Sequence, residues 1–76
     1  MNNTRDDKRM AAFGAHVRKL RKASRLTMKE LAFEADIELS QVHRIEKGLI
    51  NPTLTTILVL ADALKMPASK VFDFKY

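Results

Sequence analysis

The sequence predicts an all-α domain of five short helices, on three observations. Apolar residues recur at three- and four-residue spacing through most of the chain, as in Met10, Phe13, Val17 and Leu20. Hydroxyl residues followed three positions later by an acid stand at two predicted helix starts, Thr4 with Asp7 and Thr27 with Glu30. Glycine and proline together number four among 76 residues, too few turn-formers for an all-β fold.

The first helix is predicted over residues 5–23, with Thr4 as its cap and Gly14 inside it. A mid-helix glycine costs about 1 kcal/mol relative to alanine, so Gly14 implies close packing at that point or fraying before it. Thr27-x-x-Glu30 opens a second, short helix whose inward positions are Met28, Leu31, Ala32 and Ala35. Asp36 interrupts the pattern, and a third helix from Leu39 to Lys47 turns Val42 and Ile45 inward, with Gly48 to stop it. The segment "LINPT" is a turn whose Thr53 caps a fourth helix, Leu54 to Leu64, with Leu54, Ile57, Leu58, Ala61 and Leu64 as a broad apolar stripe. After Pro67 a last turn of helix spans Ala68 to Phe72. In the tail, Val71 and Phe72 are expected to close the core, leaving Leu60, Phe74 and Tyr76 as an exposed patch for self-association.

Size and composition restrict the function. A chain of 76 residues holds one domain, 1–76, and buries only about 60% of its unfolded surface. It has no cysteine, and its two histidines lie in no ligand cluster, so neither a metal nor a cofactor is expected; His43 and Glu46 at helical spacing lack a third ligand. His16 is expected on the surface of the first helix. Nothing pairs a nucleophile with a base or forms a phosphate loop, which argues against an enzyme. No apolar run approaches the roughly 20 residues that span a bilayer, and "MNNTRDDKRM" has acids where a signal peptide is apolar, so a cytoplasmic protein without a membrane partner is expected. The net charge is +5, and its distribution matters more than its size. Eight basic residues and no acid stand between Lys8 and Lys29, which gives one part of the molecule a positive surface.

Two short helices joined by a tight turn describe a helix-turn-helix, with the second helix placed to enter a DNA groove. At about 100° per residue, Val42 and Ile45 point one way while Ser40, His43, Arg44 and Lys47 point roughly opposite. Ala32 must be small where the two helices meet, and Ile37 plugs the turn.

From Phe13 to Phe72, about four-fifths of the chain, the sequence resembles the Cro and phage-repressor type of helix-turn-helix, also called the Xre family. The matching segments are "VRKLRKASRLTMKELAFEADIELSQVHRIEKGLINPTL" and "LADALKMPASKVF", and the combination of L-x-x-L-A, V-x-x-I-E-x-G, N-P and A-x-A-L is far more specific than any one piece. The resemblance implies a compact, lambda-repressor-like five-helix domain that regulates transcription by binding double-stranded DNA. It departs at Asp36, where the family usually has glycine in the turn, at Glu38, where Ser or Thr usually caps the recognition helix, and at Met28, where a polar residue often stands.

Carried onto matching positions, the resemblance implies that Leu39, Ser40 and Arg44 approach base edges, with Gln41 or His43 touching base or phosphate according to docking angle. Arginine can bind guanine O6 and N7 bidentately, and Leu39 can pack on a thymine methyl. Lys47, Asn51 and Thr53 match the loop that grips the backbone, joined by Arg18, Thr27, Met28 and Lys29 around the start of the second helix, while Arg21 and Glu46 match a pair that ties the first helix to the third. The expected partner is an operator half-site for each subunit of a homodimer, in a repressor or autoregulator. The competing expectation is a protein-interaction module in the same frame, such as an antitoxin bound to a partner protein.

Overall fold

The computed structural model describes residues 5–76, so Thr4 and its expected cap lie outside the described residues. Helix α1 runs Asp7–Ala23 and is capped by Asp6, whose extended backbone lets its carboxylate accept from the Arg9 amide at 3.0 Å. Helix α2 (Met28–Ala35) carries the full capping box: Thr27 Oγ1 accepts from the Glu30 amide at 3.0 Å, and the Glu30 carboxylate accepts from the Thr27 amide at 2.8 Å. These two bonds, the one from the Thr27 amide first, hold the Glu30 carboxyl below the usual carboxylate range.

Helix α3 (Leu39–Glu46) begins without a side-chain cap, as expected for Glu38, and stops one residue before the predicted Lys47. Asp36 adopts the left-handed conformation, φ 57°, that the turn demands. Helix α4 (Leu54–Leu64) is capped by Thr53, and a single turn, α5 (Ala68–Val71), follows Pro67.

The helices enclose one core in which α1 packs on α3 and α5, α2 on α3 and α4, and α4 on α5. Val17, Leu31, Val42, Ile45, Leu60 and Val71 are its fully buried members. Gly14 explains how closely α1 approaches α3. A Cβ there would collide with the Ile45 carbonyl oxygen and come within 2.7 Å of that of Glu46, so the glycine marks close packing and not fraying. Gly48 has φ 72° and lies against Ala11, where a Cβ would sit 2.7 Å from the Ala11 Cα.

Three expectations are corrected. Leu60, expected in an exposed self-association patch, is completely buried and is unavailable to any partner. Leu54 and Leu58, expected to face inward, are 65% and 41% exposed. Helix α4 is apolar around most of its circumference, so the face that meets α2 and α5 is chosen by tertiary packing, with Ile57, Leu60, Ala61 and Leu64 inside. The tail reverses the predicted order. Phe72 is 47% exposed, whereas Phe74 folds back to meet the Phe13 ring edge-on at 5.5 Å and becomes half-buried against the core. Tyr76 stays exposed, stacked beside Phe74 and under the Arg9 guanidinium at 4.4 Å. His16 is half-buried under the same tail, with its Nε2 2.9 Å from the Lys70 carbonyl oxygen.

Candidate nucleic-acid interface

The geometry of the site follows from how α3 is seated. Val42 and Ile45 are each 1% exposed, so their side of the helix is fixed against α1 and α2. The opposite side carries Leu39, Ser40, His43 and Arg44, all exposed, while Gln41 is partly covered. Eight residues at 1.5 Å rise make a rod of about 12 Å, short enough to lie in a major groove about 12 Å wide.

The seat is locked by an ion pair. Arg21 donates from Nε to Glu46 Oε2 at 2.7 Å and from Nη2 to Glu46 Oε1 at 3.0 Å, both side chains being less than a tenth exposed. Its third donor, Nη1, reaches the Leu26 carbonyl at 2.8 Å. One guanidinium thus fixes the end of α3, the body of α1 and the segment leading into α2. The two-pronged hydrogen bond to Glu46 raises the already high pKa of Arg21 against the opposing effect of burial, so the side chain stays charged. The sequence indicates the pair; the contact with Leu26 has no sequence signal, because it depends on where a turn carbonyl points.

Around α3 the expected backbone-gripping residues fall into three groups. Arg18, Met28, His43 and Lys47 line one small cleft above the Arg21–Glu46 pair. Thr27 and Lys29 flank the start of α2, where Thr27 is occupied as the cap and Lys29 is exposed. Asn51 and Thr53 lie beyond α3 in the turn before α4; Thr53 caps that helix and accepts from the Thr56 amide at 3.2 Å, while Asn51 is exposed. The expected patch of Leu60, Phe74 and Tyr76 does not assemble. The exposed large apolar side chains among the described residues are Phe33, Leu39, Leu49, Leu54, Leu58, Phe72 and Tyr76, of which Leu54 and Leu58 stand one helical turn apart on α4. Phe72 lines a shallow hollow with Ile57, Pro52 and Phe13.

The chain is similar to several proteins of known structure. A helix-turn-helix family model, HTH_3, matches residues 17–71. The restriction-modification controller protein C.AhdI from Aeromonas hydrophila is 35% identical, with 86% of this chain and 98% of that one covered and a TM-score of 0.84. The clp gene regulator ClgR from C. glutamicum shares the fold at 22% identity, covering 83% of this chain and 82% of its own, with a TM-score of 0.78. A point mutant of the restriction-modification controller protein C.Esp1396I does so at 16% identity, covering 96% and 87%, with a TM-score of 0.79. No curated protein matches the chain. Among the described residues no helix is long and apolar enough to cross a membrane. Fold, locked recognition helix and family match agree: the chain belongs to the HTH_3 helix-turn-helix family and is a DNA-binding transcription regulator.

Proposed function

We propose that the protein acts as a homodimer that reads a pseudo-palindromic operator, one half-site per subunit, and represses or tunes transcription from it. The observation that carries this reading is the exposed face of α3: Leu39, Ser40 and Arg44 project from a helix whose other face, Val42 and Ile45, is buried in the core. Arg44 reads a guanine through O6 and N7, Leu39 packs on a thymine methyl, and Ser40 bonds a base edge. Gln41, Lys29, Asn51 and Thr53 hold the backbone on either side and set the register. A two-fold axis that places the recognition helices about 34 Å apart presents them to successive turns of the groove. The dimer surface is formed by Leu54, Leu58, Phe72 and Tyr76, whose exposure in so small a domain is the support for it.

Selection of binding duplexes from a random library at physiological salt tests this function, with Arg44→Ala in parallel. An enriched palindrome is expected, with one symmetric base pair blurred in the variant and a loss of about 1–3 kcal/mol on the wild-type site. No enrichment, or equal losses on all sequences, overturns it.

A further inference from the structure

The cleft between α1, the start of α2 and the end of α3 has a volume of about 250 Å³ and is lined by Arg18, Arg21, Met28, His43, Glu46 and Lys47. Arg21 and Glu46 neutralise each other at its floor. That leaves Arg18 from α1, Lys47 from the end of α3 and the His43 imidazole as its unbalanced donors, all three exposed. Helix α2 contributes no titratable side chain to the cleft, only Met28. The amides of Met28 and Lys29, the first two of α2, have no partner among the described residues, since the capping box occupies those of Thr27 and Glu30. Arg44, the nearest cation on the same helix, is about 100° further round and does not line the cleft.

We infer that this cleft seats one backbone phosphate of the bound DNA, and that His43 closes on it as an imidazolium, so that DNA binding takes up a proton. The inference rests on the DNA-binding reading and assigns His43 to the backbone rather than to a base. An anion between Arg18 and Lys47 lies within reach of the imidazole and favours its charged form. Phosphate binding that engages an imidazolium weakens as pH rises, because the neutral ring brings no charge to the anion. Because phosphates are alike in every sequence, the effect is independent of the operator.

The test is binding of a 20-base-pair mixed-sequence duplex at constant ionic strength between pH 5.5 and 7.2, for the wild type, His43→Gln and His16→Gln. Wild-type affinity is expected to fall severalfold across this interval, within the tenfold-per-unit limit set by one proton. His43→Gln should bind independently of pH and match the wild type at its alkaline end. At pH 5.5 its plot of log affinity against log salt should be shallower by about 0.9, one phosphate contact fewer. His16 lies on the opposite side of α1 from Arg18, under Phe74, so His16→Gln should keep the wild-type profile. A wild-type profile that is flat, a dependence that survives in His43→Gln, or a His43→Gln variant that blurs one base pair of a selected site overturns the assignment. Failure of all proteins to bind any duplex at any pH instead removes the DNA-binding reading beneath it. Circular dichroism verifies that each variant is folded.

Discussion

Replacing Glu46 by alanine should damage the protein far more than any exchange on the exposed face of α3. The substitution leaves the Arg21 guanidinium inside the fold with two of its three hydrogen bonds gone, only the one to Leu26 remaining. Breaking one side of a buried ion pair costs about 3–5 kcal/mol, because the surviving charge has lost its water as well as its partner. A 76-residue domain has a total stability of about 4–11 kcal/mol at typical values per residue, so the loss removes about a quarter of it or more. For a domain of this size each kcal/mol shifts the melting temperature by about 4–8 °C, and the smallest expected fall is therefore about 12 °C. Urea titration followed by circular dichroism should show a lower midpoint at unchanged slope, which places the effect in stability and not in the unfolded state. The double variant Arg21→Met with Glu46→Leu is the decisive partner experiment. With both charges gone it should recover most of the lost stability, since apolar replacement of a buried pair is often neutral. A loss below about 1 kcal/mol in Glu46→Ala, or a double variant no better than the single one, would refute the claim that this pair seats α3.

Other exchanges probe the backbone, the caps and the dimer face. Gly14→Ala, which by helix propensity alone would stabilise, should instead cost about 1–3 kcal/mol in thermal unfolding, since the carbonyls of Ile45 and Glu46 leave no room for a Cβ. Lys65 ends α4 at φ 57°, so Lys65→Gly should raise stability by about 0.5–1 kcal/mol, while the same exchange at an ordinary helical position would lower it. Glu30 has a folded carboxyl pKa below its unfolded value. Its contribution is therefore complete above the usual carboxylate range and lost as pH falls through the folded value; melting profiles from pH 6 to 2.5 should show an acid-side decline that Glu30→Gln reduces. Leu58→Glu places a charge on the exposed ridge of α4 and should leave the fold intact while reducing the proposed dimer to a monomer by analytical ultracentrifugation; a variant that keeps a dimer's mass would exclude that ridge.

What the sequence conveys about this molecule follows the range of the interactions involved. The starts of α2 and α4 are legible because caps are local: Thr27 with Glu30 and Thr53 before α4 sit within three residues of the bonds they make, whereas the start expected for α1 at residue 5 is displaced to Asp7, with Asp6 as the cap. The left-handed turn at Asp36 is legible for the same reason, and so is the Arg21–Glu46 pair, through the motif that contains it. The orientation of α4 is not. With Leu54, Ile57, Leu58, Leu60, Ala61 and Leu64 spread around the helix, periodicity cannot distinguish the ridge that is buried from the one left in solvent, and only contact with α2 and α5 does so. The tail fails similarly, because Phe72 and Phe74 are separated by two residues, and it is the position of Phe13 on α1 that draws the second ring inward.

The same limit bears on His43. A helical wheel assigns it to the outward face of α3 with Ser40 and Arg44, which makes base contact and phosphate contact equally compatible with the sequence. Its neighbours in space favour the phosphate reading proposed above. Arg18 is 25 positions away in sequence yet lines the same cleft, as does Lys47, so His43 lies among backbone-seeking cations whereas Arg44 lies outside them. Adjacent residues on one helix are thus proposed for opposite tasks. In the proposed assignment Arg44 supplies discrimination between base pairs. His43, in the same proposal, supplies affinity that is indifferent to sequence. Measured together, the two variants should separate along those axes: Arg44→Ala flattens sequence preference and keeps the pH profile, while His43→Gln flattens the pH profile and keeps the preference.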